Sequence, residues 1–480
     1  MRAARLSTTL ASTLGCPFKE AHRVSSRLLH SSARMGSVGT PRGIPAEWLR
    51  RIIEDDAQPP RLYAWTPENL SPRSGLESQS ARGSKTGING GRGRDGNESR
   101  RVYILGVGNI GRLYAMCLFK LTDRPPITLV VHRKELLDRW IAEPGIELMR
   151  YRHVHKSAAF DIEWWTDVAP SCGARTAEVA GGRSIANLIV ATKASDAISQ
   201  VDRVRRYLSS KSTVAFAQNG MCKLWPPLGD VYVRARFPNS THPNFVACVT
   251  THGVTSQGPF KSTHASPANA LVGPVMASSA DGVGGERMRY LMRLIADAPD
   301  LDAREVSRKE LWVAQLEKLV VNAIINPLTA VLRCKNGELF VARNDAMPAV
   351  IDRLLSEASE MLCALISDSR TDEILLSGSD ADPENSTAEN RRQLLERFVF
   401  TRLRAMVLGV GAKVGANTSS MLQDVQADKL TEIDGFNGWL VETARLLGKG
   451  FQLPTHEKLI KLVKDKTTLT RAELCATLLV

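Results

Sequence analysis

A glycine-rich turn, GVGNIG, follows the apolar segment at residues 102–105 and precedes apolar residues at helical spacing. In a strand-turn-helix unit the first glycine allows the tight turn, the second lets the backbone approach a pyrophosphate, and the third permits close packing of helix on strand. The pattern therefore predicts that a dinucleotide binds at Gly106, Val107, Gly108, Asn109, Ile110 and Gly111.

The next apolar segment, ITLVVHRK, indicates which dinucleotide binds. An NAD site usually carries an Asp or Glu at the end of this strand for the ribose 2′-hydroxyl, but here the chain reads Val131, His132, Arg133, Lys134. A cationic cluster suits a 2′-phosphate, so NADPH is favoured as cofactor, with Arg133 among its contacts. The alternative interpretation is a solvated run of charge at the start of a helix.

One lysine and two asparagines interrupt the apolar segment LEKLVVNAIINPLTAVLRCKNGEL. Lys318, Asn322 and Asn326 are four residues apart and form one narrow stripe on a helix, which Gln315 and Thr329 extend. The remaining circumference is apolar, as in a helix that is buried on most sides. Taken alone, the stripe is either a thin solvent-exposed seam or the polar wall of a site.

Strand candidates alternate with helical segments in the first half of the chain, which predicts a parallel sheet with crossover helices. Long amphipathic segments follow, so the second half is predicted to be all-helical and the fold class to be α/β plus all-α. The predicted divisions are a leader at 1–34, a flexible extension and linker at 35–100, a dinucleotide-binding domain at 101–306, a helical domain at 307–465 with an acidic insertion at 368–390, and a tail at 466–480.

The leader contains six Lys or Arg, nine Ser or Thr and one acidic residue, Glu20. This composition is typical of a mitochondrial transit peptide and predicts a location in the mitochondrial matrix. The leader supplies +5 of the formal charge of +13, and the remainder is a weak signal, so no nucleic-acid partner is expected. No run of about eighteen apolar residues occurs, so no membrane span is expected.

The eight cysteines are dispersed and form no CxxC pair, which gives no support to a metal site or a disulfide framework. His153 and His155 are two residues apart and could share one face of a strand, but no carboxylate or third histidine accompanies them. No metal is therefore expected.

Four stretches together resemble the ketopantoate reductases (2-dehydropantoate 2-reductases), in the form of a fungal-type mitochondrial member. They are ILGVGNIG; ATKASD with AFAQNGM; EKLVVNAIINPLTAVLRCKNGEL; and ANTSSMLQDVQADKLTEIDGFNGWL. Many dehydrogenases share the first, whereas the last two are specific and occur in the family's order and spacing. The resemblance implies a Rossmann NADP-binding domain, then a helical domain of the 6-phosphogluconate dehydrogenase C-terminal-like type, with the active site in the cleft between them.

The resemblance also implies roles for single residues. Hydride delivery to a 2-keto carbon leaves an alkoxide that a nearby donor must protonate, and the family's general acid matches Lys318. Glu432, of TEID, fixes this lysine or accepts from a substrate hydroxyl. The other implied contacts are Asn219, Asn322, Asn326 and Ser420 for the substrate, and Lys193 and Asn219 for the cofactor.

Three of these residues also have simpler interpretations. Asn219 could cap a turn, Ser420 could cap a helix, and Glu432 could be a charge in a first helical turn. The family usually has a tyrosine directly after TEID, where this chain has Gly435, so different packing is expected near Glu432.

The expected reaction is NADPH-dependent reduction of 2-dehydropantoate to (R)-pantoate, in pantothenate and coenzyme A biosynthesis. Two alternatives stay open: a related branched 2-keto acid reductase, and a non-catalytic mitochondrial RNA- or protein-binding member that keeps the fold. The expected partner is a small 2-keto acid, and a homodimer is one option for the assembly.

Overall fold

Short apolar strands form the centre of the first half of the chain, as the alternation of strand and helix predicted. The computed structural model describes residues 46–70, 98–168, 176–238, 241–278, 283–376, 383–448 and 450–480. The predicted leader and most of the predicted linker lie outside the described residues.

The described strands form two sheets. The strands are β1 Tyr63–Trp65, β2 Val102–Leu105, β3 Ile127–Val131, β4 Ile146–Arg150, β5 His153–Ser157, β6 Asp161–Thr166, β7 Ala177–Glu178, β8 Asn187–Val190, β9 Thr213–Phe216, β10 Asn244–Thr250, β11 Gly253–Ser256, β12 Lys261–Ser266, β13 Ala270–Met276 and β14 Ala303–Glu305. The larger sheet has the order β14-β13-β10-β9-β8-β2-β3-β6-β1-β7, and the smaller one β11-β12-β4-β5. Strands β2, β8 and β9 are buried at every residue, as expected for parallel strands that are covered on both faces.

The parallel centre of the larger sheet determines where a site can lie. Strands β3, β2, β8, β9 and β10 are paired in parallel, so their carboxyl ends meet at one edge. Gly106 follows β2 directly, Lys193 and Asn219 lie in the loops after β8 and β9, and Thr250 ends β10. Open α/β sheets bind ligands at this edge, so four predicted or neighbouring site positions come together there.

The first half of the chain contains seven described helices, and the first of them precedes the first strand. They are α1 Glu47–Glu54, α2 Pro67–Leu70, α3 Asn109–Phe119, α4 Lys134–Ala142, α5 Ala194–Arg203, α6 Leu228–Arg236 and α7 Val283–Ala296. The prediction of a flexible extension does not hold for residues 46–70, because α1, β1 and α2 form there. The physical reason is burial: Leu49, Leu62 and Ala64 are packed into the core, and β1 pairs with both β6 and β7.

The second half is helical, as predicted. Its helices are α8 Arg308–Leu332, α9 Met347–Ile366, α10 Asp372–Leu375, α11 Pro383–Phe398, α12 Phe400–Lys413, α13 Ser420–Gln426, α14 Asn437–Leu447, α15 Pro454–Lys464 and α16 Arg471–Leu479. Helix α8 begins at a capping box, in which Ser307 Oγ accepts from the Glu310 amide at 3.2 Å. It contacts β10 and β13 as well as α13 and α15, and so joins the sheet to the other helices.

Among the described residues, no helix combines the length and the apolar character that a membrane span requires. No three His, Cys, Asp or Glu side chains among them come together in a way that could hold a metal ion, and His153 and His155 lie exposed on β5.

Candidate active site

The glycine turn packs as its spacing predicted. Gly106 has a φ of +99°, which L side chains rarely adopt, and a Cβ there would lie 2.9 Å from the carbonyl carbon of Ala191. A Cβ on Gly111 would lie 2.0 Å from the Gly106 oxygen, whereas a Cβ on Gly108 would meet nothing within 4 Å. The first and third glycines therefore allow close packing, and the second borders open space in front of α3.

The amino end of α3 is open to an anion. Gly108 precedes the helix, no side chain caps this end, and no acidic residue stands in the first turn. Val107 and Ile110 are half-buried beside it. The Asn109 side chain is already in use, because its Nδ2 donates to the Val254 carbonyl at 3.1 Å. Asn109 can therefore offer a phosphate its backbone amide rather than its side chain.

Arg112, in the same turn of α3, is a site residue that the sequence reasoning missed. Its guanidinium is buried and donates to the carbonyls of Gly258 at 2.6 Å and Lys261 at 3.0 Å, and it pairs with no carboxylate among the described residues. Burial lowers the pKa of Arg112 to about 10, so the group stays charged at neutral pH. Its positive charge adds to that of the helix end, and an arginine in an otherwise apolar helix was the available signal.

The basic cluster after β3 retains an unpaired cation. Arg133 is exposed, and its side chain makes no hydrogen bond or ion pair with any described residue, whereas Lys134 pairs with Asp138 at 3.1 Å. Because β3 lies beside β2, this arginine and the glycine turn are at the same sheet edge. The open space at Gly108, the uncapped helix end and Arg133 together fit a phosphorylated dinucleotide.

Lys318 reaches this edge from α8. Its Nζ donates to Asn219 Oδ1 at 3.0 Å and to the Thr250 carbonyl oxygen at 2.6 Å. Burial lowers the pKa of Lys318 to about 8, and the Glu432 carboxylate acts in the opposite direction. The amine is therefore charged at neutral pH but can release its proton readily, as a general acid must. At this position the stripe faces a polar cleft rather than open solvent.

Glu432 connects the helical half to two loops of the sheet. Asn219 Nδ2 donates to its Oε2 at 3.2 Å, and the Ala194 amide lies 3.5 Å from its Oε1. Burial raises the pKa of Glu432, while the hydrogen bond from Asn219 and the charge of Lys193 lower it. Asn219 thus bridges Lys318 and Glu432, so its side chain does more than cap a turn, and the Glu432 carboxylate does not cap the turn that follows it.

The later part of the stripe meets α13. Asn326 is buried, and its Nδ2 lies 3.5 Å from Ser420 Oγ. The residue that caps α13 is Ser419, whose Oγ accepts from the Leu422 amide at 3.1 Å, so Ser420 has no capping role. Asn322, one turn before Asn326, is half-buried and makes no side-chain hydrogen bond to any described residue. Its amide is free to bind a ligand.

Lys193 makes contacts that the resemblance did not imply. Its Nζ forms an ion pair with Asp424 at 2.8 Å and donates to the Leu430 carbonyl. Both partners belong to the helical half, so Lys193 joins the sheet edge to that half beside Glu432. Its part in lining a cofactor site stays a prediction.

Close packing explains why a glycine fits at position 435. A Cβ there would lie 3.2 Å from Ala194 Cβ, so a larger side chain would require the start of α5 to shift. The Gly435 carbonyl oxygen in turn lies 2.7 Å from where a Cβ on Gly220 would be. Backbone therefore packs directly on backbone beside the contact between Asn219 and Glu432.

Known proteins resemble this chain in sequence and in fold. A family model described as Ketopantoate reductase PanE/ApbA matches residues 102–276, and one described as Ketopantoate reductase PanE/ApbA C terminal matches residues 310–467. A Gibberella fujikuroi protein named "Ketoisovalerate reductase BEA2" is 41% identical over 443 residues, which cover 88% of this chain and 98% of that protein. A Schizosaccharomyces pombe protein named "Probable 2-dehydropantoate 2-reductase" is 29% identical over 385 residues, 77% of this chain and 97% of that protein.

Solved structures show the same fold. The structure titled "The ternary structure of D-mandelate dehydrogenase with NADH and anilino(oxo)acetate" matches with a TM-score of 0.52 at 16% identity, and the match covers 76% of this chain and 97% of that one. At this level of identity the likeness concerns the fold alone.

Proposed function

The chain belongs to the ketopantoate reductase family, and we propose that it reduces branched 2-keto acids with NADPH, 2-ketoisovalerate in preference to 2-dehydropantoate. The observation that carries the reductase proposal is the Lys318 amine, held by Asn219 and Thr250 at the sheet edge with a pKa of about 8. The order of substrates is supported by the relative named for ketoisovalerate, at 41% identity, over the one named for 2-dehydropantoate, at 29%. The substrate expected from sequence thus becomes the second candidate.

The proposed role of Lys318 is to protonate the substrate oxygen. When bound, the nicotinamide supplies a hydride to the 2-keto carbon. Negative charge then develops on the carbonyl oxygen, and Lys318 Nζ donates the proton that neutralises it. Asn219 and Thr250 each direct one hydrogen of the ammonium group, which leaves the third for the substrate.

Glu432 has two proposed effects on this step. Its charge raises the pKa of Lys318 against the effect of burial, which keeps the amine protonated in the neutral range. Its contact with Asn219 also fixes the amide that orients the amine. Glu432 therefore controls both the charge and the position of the acid.

Neutral donors are proposed to bind the substrate carboxylate. Asn322 has a free amide, and Asn326 and Ser420 lie together one turn further along α8. Amide and hydroxyl groups hold a carboxylate without adding a second cation, which would lower the pKa of Lys318 further. The stripe thus places the proton donor and the carboxylate contacts in one line.

The preference for NADPH rests on Arg133. This arginine is exposed and unpaired among the described residues, and no Asp or Glu stands at the end of β3. The solved structure of D-mandelate dehydrogenase, which has a similar fold, is a complex with NADH. NADH is therefore the alternative cofactor to compare.

A substrate panel tests the proposal. Initial rates are measured with NADPH and with NADH, using 2-ketoisovalerate, 2-dehydropantoate and the unbranched 2-ketobutyrate as control. We expect the largest kcat/KM for 2-ketoisovalerate with NADPH. A larger value for 2-dehydropantoate would favour the second candidate, and no oxidation of either cofactor with any of the acids would refute the reductase proposal.

A mitochondrial location is also proposed, from the composition of residues 1–34. The test is a fusion of this segment to a fluorescent protein in fungal cells, where we expect the fluorescence to coincide with a matrix marker. Diffuse cytosolic fluorescence would contradict it.

A further inference from the structure

A small cavity lies beside Lys318, between the loop after β9, the end of β10 and the first half of α8. The space that it leaves for the centre of a water molecule is about 10 Å³, roughly the room that one buried water requires. Its walls include Gln218, Gly220, Cys248, Gln315, Lys318 and Leu319.

Two glutamines in the wall of the cavity have unused hydrogen-bonding capacity. Gln218 is 8% exposed, and its Oε1 has no hydrogen-bond partner among the described residues. Gln315 is 4% exposed, and its Oε1 accepts from Trp225 Nε1 at 2.5 Å, which leaves its Nε2 to donate. A buried amide oxygen without a donor is costly, and native proteins commonly satisfy such an atom with an ordered water.

Along α8, the cavity and the proposed substrate contacts lie in opposite directions from Lys318. Gln315 stands one turn before the lysine on α8, and Asn322 stands one turn after it. A water in the cavity would therefore keep its contacts with the two glutamines when the substrate binds beside Asn322.

We propose that this cavity binds one water molecule between Gln218 Oε1, Gln315 and Lys318, and that Gln218 acts through it as a positioning residue for the lysine. In the free protein the water donates to Gln218 Oε1 and accepts from Gln315 Nε2 and from the ammonium hydrogen of Lys318 that Asn219 and Thr250 leave unused. This contact favours the charged form of Lys318, and the substrate oxygen takes the same hydrogen when it binds. The importance of this contact for turnover rests on the proposed reductase function, but the water site itself does not.

Two substitutions of Gln218 should move the titration of Lys318 in opposite directions. Gln218→Met keeps the length of the side chain but removes the acceptor, so the water loses its anchor and the pKa of Lys318 should fall by about one unit, the scale of one hydrogen bond to a charged group. Gln218→Glu keeps the acceptor and adds negative charge, so the pKa should rise. A change in packing alone would not shift the pKa of Lys318 in opposite directions in the two variants.

The experiment is ¹³C NMR titration of the lysine ε-carbons in the full chain, with the Lys318 signal assigned by its loss in Lys318→Met. Gln393→Met, at an exposed glutamine of α11, is the matched control and should leave the titration unchanged. An unchanged Lys318 signal in Gln218→Met, or shifts of the same sign in both Gln218 variants, would overturn the inference.

A crystal structure of the unsubstituted protein covers the case in which Gln218→Met does not fold. Density for a water within hydrogen-bond distance of Gln218 Oε1 would support the site, and an empty cavity would refute it. Neither readout needs turnover, so a failure of the substrate panel leaves this test intact.

Discussion

The two walls of the site hold their polar groups by different means. On the sheet side, the glycine turn and the amino end of α3 present backbone groups around the open space at Gly108. On the helical side, Lys318, Asn326 and Ser420 present side chains that partners from distant parts of the chain hold in place. Substitutions that add atoms should therefore disrupt the backbone wall, whereas substitutions that remove atoms should disrupt the side-chain wall.

Removal of the amine is expected to have the largest effect. Lys318→Met keeps an apolar side chain of similar length in α8 but removes the proton donor, so kcat should fall by about 10²- to 10⁴-fold while NADPH binding stays intact. Steady-state rates and a fluorescence titration with NADPH measure the two quantities. Lys309→Met is the control on the same helix, because the Lys309 amine bonds Asn390 and has no contact with the site. A fall in kcat of less than tenfold would show that another group donates the proton.

Adding one methyl group should separate two glycines of the backbone wall. Gly111→Ala puts a Cβ 2.0 Å from the Gly106 oxygen, so the chain should lose about 1–3 kcal/mol of stability, whereas Gly108→Ala meets nothing within 4 Å and should keep its Tm. We expect Gly108→Ala instead to weaken NADPH binding, because its methyl enters the space for the pyrophosphate. Thermal unfolding and nucleotide titration distinguish the two, and equal losses of Tm would show that the space at Gly108 is not open.

Cofactor choice gives a sharper test of the sheet side. Arg133→Ala should raise the KM for NADPH by about 10- to 100-fold, the cost of one hydrogen bond to a charged group, and leave the KM for NADH unchanged. Lys134→Ala is the matched control, since Lys134 pairs with Asp138. Equal changes with both cofactors would place the 2′-phosphate elsewhere.

The smallest expected effect concerns the pH dependence. The acid must be protonated, so activity should fall as the pH rises through the Lys318 pKa of about 8. The Glu432 charge raises that pKa, so Glu432→Gln should lower it and move the falling limb of kcat to lower pH, by about half to one unit. A pH–rate profile measures the shift, and a limb that moves upward would contradict the sign of this interaction.

Features with a local spacing were predictable from the sequence. The three glycines, the alternation of strand and helix, and the apolar period of α8 each depend on neighbouring residues, and the structure confirms them. The stripe itself was visible, but its environment was not. Lys318 meets Asn219 and Thr250 across 99 and 68 residues of chain, and Thr250 contributes a backbone carbonyl that any residue would have.

Other parts of the site and fold carried no readable signal. Ser419 and Ser420 are adjacent and identical, so only the observed start of α13 shows which one caps the helix and which one faces Asn326. Strand β1 is three residues long, too short for an alternating pattern, and its identity as a strand comes from pairing with β6. Gln218 could not be distinguished by its residue type, because what marks it is a neighbouring cavity.

The position of β1 also bears on how this protein can be produced. The match to the family begins at residue 102, yet β1 pairs with β6 on one side and β7 on the other, and the amide of Leu62 before it donates to the Tyr207 hydroxyl at 2.8 Å. A version shortened to the family match would leave the edge of β6 unpaired. Unpaired strand edges can form hydrogen bonds with strands of other chains. We therefore expect the shortened version to aggregate on expression, and a version that keeps residues 46–70 to stay in solution. The solubility of the protein would then depend on a segment that contributes nothing to its chemistry.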